Sequence, residues 1–409
     1  MTPGSPSPTT RLHLRVSSTA ETIIRAGHPW LFAGSLRGLN RDGQLGELAV
    51  IYDRHDHFLA IGLFDPLSPL RLRILHAGKP VNIDEAWWRH QFQKAIDRRR
   101  GLFDEQTTGF RWLHGESDGW PGLVLDRFGT VLVLKLYTAA WLPRLAELTA
   151  LIREFLNPEH LVLRLARNTQ EVARREFHLE DGGLLIGEKL EQRPIFLENG
   201  LRFEAEVLQG QKTGFFLDQR ENRRRVARLA PGRDVLNAFS FSGGFSLYAA
   251  RAGATAVADL DISPHALEAG KRNFALNQDD AAVAQCPRET VQADAFQWLE
   301  QNRTRQFGLV ILDPPSLAKR EADRNGAIQA YGKLTATGIR ALRPDGILVA
   351  ASCSGHVTAD EFFRAVRQAA RKSGRRLTEL ETTGHPPDHP ATFPEGRYLK
   401  CIYLKAEGR

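Results

Sequence analysis

Cysteine is scarce in this chain. The 409 residues hold three, Cys286, Cys353 and Cys401, far apart in sequence. They form no disulfide framework and no metal-ligand spacing, so no metal is expected. A reducing cytoplasm is the natural compartment. Long apolar runs are lacking as well, so neither a transmembrane helix nor a membrane partner is expected. The first ten residues, Met1 to Thr10, are rich in proline and serine and read as a disordered tail. They lack the charged region and apolar core of a secretory signal. The chain also has no P-loop, no complete G-x-G-x-x-G and no nicotinamide-specific signal.

What is present is ordinary in bulk. A hydrophobic fraction of 42% with 25% charge suits a globular protein, and the length allows two or three domains. The net charge of +7 permits a polyanionic partner without demanding one. Basic residues cluster at Arg98–Arg100, at Arg220 with Arg223–Arg225, and around Arg371 to Arg376. Each cluster reads first as a solvated helix face.

Residues 11–83 read as a small β-rich domain. Leu12–Val16 and Leu70–Leu75 alternate apolar with polar, and Ala49–Tyr52 and Phe58–Gly62 are short strands. Residues 84–195 read as an α+β segment. It opens with a helix over 86–100 and continues with a helix over 142–156 and a strand over 161–165. The run Gly115–Gly122 reads as a structured turn.

From 196 onward, strands alternate with helices, which predicts a parallel, doubly wound sheet with right-handed crossovers. The stretch Asp234-Val-Leu-Asn-Ala-Phe-Ser-Phe-Ser-Gly-Gly-Phe-Ser246 organises this half. It gives a strand, a turn of small residues and a helix, which would bring backbone N–H groups to a ligand. Gly243 and Gly244 alone fit a tight packing turn equally well. Asp261 follows about 20 residues later, where a carboxylate can meet a ribose hydroxyl. Asp294, with Ala295 and Phe296 next to it, can accept from an adenine amino group. Ser263 and Pro264 predict a helix start, with helices at 265–277, 326–342 and 360–373. The apolar run Phe307–Leu312 ends in Asp313-Pro-Pro315, and another ends at Ser352-Cys-Ser354. Five such signals would share one edge of one sheet, where ligands of this fold class bind.

These residues carry a family resemblance. Lys212-Thr-Gly-Phe-Phe-Leu-Asp-Gln-Arg220, Asn237-Ala-Phe-Ser-Phe-Ser-Gly-Gly-Phe245, Asp313-Pro-Pro315, Ser352-Cys-Ser-Gly355, Asp388-His-Pro390 and Phe393-Pro-Glu-Gly-Arg-Tyr-Leu-Lys400 run through the C-terminal half. Residues 196–409 resemble a class I S-adenosylmethionine-dependent methyltransferase. The whole chain resembles the large-subunit ribosomal RNA 5-methylcytosine methyltransferases that begin with a PUA domain. Ile24–Phe32, Gly46–Val50 and Ala60–Gly62 are similar to that RNA-binding β-barrel. The resemblance implies S-adenosylmethionine as cofactor and ribosomal RNA as partner, and it allows a homodimer. It places the cofactor on Arg220, Phe239, Ser240, Ser242, Gly243, Gly244, Asp261, Ile262, Asp294, Ala295 and Asp313. It implies substrate contacts from Lys212, Pro314, Pro315 and His389, although His389 and Lys400 are as readily structural.

Carbon 5 of a pyrimidine is a poor nucleophile, and a thiolate adding at carbon 6 activates it. Cys353 sits at a strand end, whereas Cys286 and Cys401 read as packing or surface. A lone cysteine can equally be a small buried hydrophobe. Asp313 could orient the cytosine at N3 or at its amino group. Two alternatives stay open: amino methylation of a purine through Asp313-Pro-Pro315, and RNA binding without catalysis. No aromatic follows Pro315, which disfavours the first. The intact strand-end residues disfavour the second.

Overall fold

The computed structural model describes residues 11–408. The expected tail at residues 1–10 lies outside them. The described chain forms two compact units, interleaved in sequence. The first comprises residues up to Asp104, then Thr108–Pro194 and Ala205–Phe215. The second comprises Glu105–Thr107, Ile195–Glu204 and the chain from Phe216 onward.

The first unit begins with β1 (His13–Val16), α1 (Ser18–Arg25), β2 (Trp30–Phe32), β3 (Leu36–Leu39), β4 (Leu48–Tyr52), β5 (Phe58–Phe64) and β6 (Leu70–Ala77). These strands form one mixed sheet in the order β2-β6-β5-β4-β1-β3. The alternation in β1 turns Leu14 and Val16 inward onto Leu12, Ile51 and Leu72. Then come α2 (Glu85–Arg99), β7 (Gly109–His114), β8 (Leu123–Phe128), β9 (Val131–Leu136), α3 (Leu145–Leu156), β10 (His160–Leu165), α4 (Arg167–Phe177) and β11 (Leu184–Ile186). Their sheet runs β11-β10-β9-β8-β7. Trp88, Trp120 and Trp141 pack together at its centre, with centroids 5.2 to 5.9 Å apart. The Gly115–Gly122 run is a structural turn. Asp118 is buried there and accepts from Arg99 at 2.6 Å and from the His114 backbone N–H at 2.7 Å.

The second unit contains a hairpin, β12 (Ile195–Glu198) with β13 (Leu201–Glu204), then α5 (Arg220–Leu229), β14 (Asp234–Ala238), α6 (Gly244–Arg251), β15 (Ala256–Asp261) and α7 (Pro264–Ala275). It continues with α8 (Ala281–Gln285), β16 (Arg288–Gln292), α9 (Ala295–Gln301), β17 (Phe307–Leu312), α10 (Arg324–Arg340), β18 (Leu342–Ser352), α11 (Ala359–Lys372), β19 (Leu377–Thr383) and β20 (Lys400–Ala406). The sheet order is β16-β15-β14-β17-β18-β20-β19. The first five strands are parallel, and β20 is antiparallel to both of its neighbours. Leu309 to Leu312 are buried on both faces, so this strand is a continuous apolar run. Ser263 caps α7 by accepting from Ala266 N, and Pro264 occupies the first turn, as expected.

One expectation is corrected. Not all the arginine clusters are solvated faces. Arg99, Arg220 and Arg223 are buried, each on a carboxylate: Asp118, Asp388 and Glu198. Fork-shaped guanidinium–carboxylate pairing satisfies several donors at once, so it permits such burial where a lone charge would be expelled.

Candidate active site

Because β16, β15, β14, β17 and β18 are parallel, their C-terminal ends meet at one edge. The register sets Ala238 beside Leu260 and Leu312, and Leu312 beside Ala350. The residues at or just beyond the ends are Asp294, Asp261, the Phe239–Gly244 turn, Asp313 and Cys353. The structure thus brings the predicted strand-end residues together on one unit.

The turn after β14 is held in an uncommon conformation. Phe239 and Phe241 both adopt left-handed backbone angles, φ 63° and 47°. Such residues cost of order 1–3 kcal/mol each and persist only where the surroundings determine them. Here Phe239 N and Ser240 N both donate to Leu260 O, at 2.8 and 3.1 Å. Asp261 Oδ2 takes Phe241 N at 2.9 Å, and its Oδ1 takes Ser263 N at 2.9 Å. Gly243 has φ +73°, which an L side chain rarely adopts. A Cβ on Gly244 would lie 3.0 Å from Arg223 Cδ. Ser242 is buried, and its carbonyl accepts from Asn273 at 2.9 Å.

These features fit a nucleoside cofactor. Helix α6 starts without a side-chain cap, so its first N–H groups are open to a ligand. Ser240 Oγ is buried with no hydrogen-bond partner among the described residues. Asp294 Oδ1 caps α9 through Gln297 N at 2.9 Å. Ala295 is buried behind Asp294, while Ile262 is 67% exposed next to Asp261.

Asp313 accepts from Gln219 Nε2 at 2.9 Å, and Gln219 Oε1 accepts from Asn222 at 2.6 Å. Neither Gln219 nor Asn222 was singled out in the sequence; Gln219 lies inside the Lys212–Arg220 motif, where only its neighbours signalled chemistry. Pro314 is buried and Pro315 exposed. Cys353 Sγ lies 4.0 Å from Pro314 O, so the Asp313 segment and the cysteine segment adjoin. Ser352 Oγ and Tyr331 OH are 2.9 Å apart. Burial pushes the Tyr331 phenol up to about 12, with the hydrogen bond from Ser352 opposing and the charges of Cys353 and Asp313 adding.

Arg220 lies at the start of α5 with its guanidinium on Asp388, at 2.7 and 3.3 Å. His389 Nδ1 is 3.1 Å from the same carboxylate, and both residues are buried. Burial alone would raise the Asp388 carboxyl, but His389 and then Arg220 outweigh it and hold the group well below the usual range. Lys212 belongs to the first unit, where its carbonyl accepts from Lys135 Nζ at 2.8 Å. Lys400 is buried, donating to the Ser354 and Tyr398 carbonyls. Burial brings its ammonium down to about 8, against the pull of Cys353 and Glu361. Cys286 is half-buried, and Cys401 is fully buried, with its thiol pushed up to about 12 by burial.

A seven-stranded sheet in this order, with its last two pairings antiparallel and with aspartates and a glycine turn at the ends of its parallel strands, defines a class I methyltransferase domain. A family model for S-adenosylmethionine-dependent methyltransferases matches residues 110–404, and one for a PUA-like domain matches 14–77. The chain belongs to this S-adenosylmethionine-dependent methyltransferase family and carries the PUA-like domain at its N-terminal end. It is 56% identical, over 99% of both chains, to a ribosomal RNA large subunit methyltransferase of Deinococcus radiodurans. It is 34% identical to ribosomal RNA large subunit methyltransferase I of Pseudoalteromonas atlantica, covering 94% of this chain and 97% of that one. A solved structure of a candidate S-adenosylmethionine-dependent methyltransferase from Streptococcus mutans shares the fold. Its TM-score is 0.81 at 23% identity, over 96% of this chain and 99% of that one. The cofactor is S-adenosylmethionine. Among the described residues, no helix is long and apolar enough to cross a membrane.

Proposed function

We propose that this chain methylates carbon 5 of a cytosine in large-subunit ribosomal RNA, with Cys353 as the covalent nucleophile. The RNA class rests on what the relatives are called. The observation that carries the chemistry is the seat of Cys353, at the open strand edge and 4.0 Å from Pro314 O, next to Asp313. Such a substrate places the reaction in the cytoplasm.

When bound, S-adenosylmethionine supplies an electrophilic methyl group on a sulfonium. The residues that would hold it are the Phe239, Ser240, Ser242, Gly243 and Gly244 turn, Asp261, Ile262, Asp294, Ala295 and Asp313. Arg220 would act from the start of α5, through the ends it anchors. On the substrate side, the base leaves its stack to enter the site. Cys353 thiolate forms a bond to carbon 6, and the displaced electron pair makes carbon 5 nucleophilic. Asp313 orients the ring through N3 or the amino group, with Gln219 fixing the carboxylate. Once carbon 5 has been alkylated, its proton leaves, the sulfur–carbon bond breaks and the thiolate returns. Pro314, Pro315 and His389 are assigned to the RNA side.

The test is incubation with labelled S-adenosylmethionine and unmodified large-subunit rRNA, followed by digestion to nucleosides. The expected product is labelled 5-methylcytidine, abolished by Cys353→Ala. A labelled N-methyl purine, unaffected by that change, would show amino methylation instead.

A further inference from the structure

Because β20 runs antiparallel to β18, its first residue comes to the edge where the parallel strands end. Lys400 is therefore the register partner of Ser352, one residue before Cys353. Its side chain turns into the protein and is 2% exposed. The ammonium donates to the carbonyl of Ser354, on the other side of the cysteine, and to Tyr398 O at 2.9 Å. Among the described residues it makes no ion pair with a carboxylate.

A buried ammonium on carbonyl dipoles alone is costly, and an apolar residue would fill the site more cheaply. Arg220 and Arg223, by contrast, are both neutralised by carboxylates. The titratable groups around Lys400 and Cys353 come from five segments. Asp313 follows β17, and Tyr331 on α10 bonds Ser352. Glu361 on α11 interacts with Lys400 at longer range but is itself held by Arg324. His356, three residues beyond Cys353, lies 3.5 Å from Glu321. Tyr398 donates to Asp218 at 2.9 Å. Of these, Cys353 stands between the two residues that Lys400 meets, Ser352 by register and Ser354 by hydrogen bond, and its charge is the one that most favours the ammonium. A carboxylate such as Asp313 near a thiol disfavours the thiolate by like charge, and a neighbouring cation favours it.

We infer that Lys400 is the positioning residue and counter-ion of Cys353, holding it as a thiolate and fixing the loop that presents it. The inference rests on Cys353 being the nucleophile, but its test does not depend on methyl transfer. A cation here does two things at once. It lowers the free energy of the attacking thiolate before the base arrives, and it tethers Ser354 so that the sulfur keeps its direction. It also favours departure of the same thiolate when the adduct breaks down.

The experiment follows alkylation of Cys353 by iodoacetamide between pH 6 and 10 in the full-length protein, resolved by peptide mass spectrometry from Cys286 and Cys401. Lys400→Met should raise the midpoint for Cys353 by about one pH unit or more. Lys400→Arg, which keeps the charge, should leave it within a few tenths of a unit. Equal midpoints in wild type and Lys400→Met would overturn the inference. So would equal upward shifts in the Met and Arg variants, which would show packing rather than charge. Should Lys400→Met fail to fold, the reciprocal measurement decides. Linkage requires the Lys400 ammonium, followed by lysine Nζ NMR, to titrate at lower pH in Cys353→Ala than in wild type. An unchanged Lys400 titration in that variant would equally overturn the inference. Full methyl transfer by Cys353→Ala would instead sink the nucleophile reading and leave the alkylation midpoints standing.

Discussion

Asp261 takes two backbone N–H groups at once, Phe241 N on one oxygen and Ser263 N on the other. One carboxylate thereby holds the left-handed turn after β14 and the start of α7, while facing the edge proposed for the ribose. Asparagine cannot do the same, because its amide nitrogen would confront one of the two donors. Asp261→Asn is expected to lose ~1.5–3 kcal/mol of cofactor binding, roughly 10- to 100-fold in Kd. Calorimetric titration with S-adenosylmethionine reads this directly. Loss of thermal stability with an unchanged Kd would make Asp261 a turn-holder alone. At this scale much was legible in the sequence. Asp261, Asp294, Asp313 and Cys353 each follow an apolar run, and a strand end is where side chains become available. Gln219 and Tyr331 were not legible, because their partners, Asp313 and Ser352, lie 94 and 21 residues away and no local pattern marks them.

At the scale of elements, the Arg220–Asp388–His389 group ties the start of α5 to the segment before β20, across 168 residues of chain. Removing one partner strands a buried charge. Arg220→Met should therefore destabilise by about 3–5 kcal/mol, whereas Arg220→Met with Asp388→Leu should cost much less than the sum. Urea denaturation of the four proteins closes that cycle. The pH dependence has a definite sign. The folded Asp388 carboxyl lies well below its unfolded value, so the unfolded state binds more protons as the solution is acidified. Its stabilisation is complete above the ordinary carboxylate range near pH 4 and is lost as pH falls through the folded value. Asp388→Asn should start less stable at pH 7, and the gap should narrow below about pH 4. A constant gap would mean that the carboxylate carries no net linkage. Sequence patterning placed the longer helices of this unit to within a few residues, 326–342 being expected and Arg324–Arg340 found, but it did not mark α5, α8 or α9. It missed β20, a buried strand inside the sheet that it met only as the end of a tail motif, and it missed β16 and β19. Both are edge strands, largely exposed and rich in charge, so neither alternation nor an apolar run betrays them. The buried arginines were misread for the reverse reason, since burial of Arg220 and Arg223 depends on carboxylates far away in sequence.

At the scale of the whole molecule, the net charge of +7 survives all the internal pairing, since every ion pair cancels one charge of each sign. A chain that collects its substrate through phosphates should show that excess in its salt dependence. Each phosphate neutralised releases condensed counterions, so the logarithm of affinity falls linearly with the logarithm of salt. S-adenosylmethionine carries no phosphate, so its binding releases no such atmosphere. Raising salt from 50 to 200 mM should therefore weaken binding of an rRNA fragment by roughly 10- to 1,000-fold, corresponding to a few phosphate contacts. The cofactor Kd should change by less than about threefold, because its interactions are short-ranged and only partly exposed to screening. Fluorescence anisotropy with a labelled fragment gives the first quantity, and calorimetry on the same protein gives the second. A flat response of RNA binding to salt would mean that the basic excess takes no part in recognition. Recognition would then fall to stacking and base-edge contacts, whose energies do not scale with released ions.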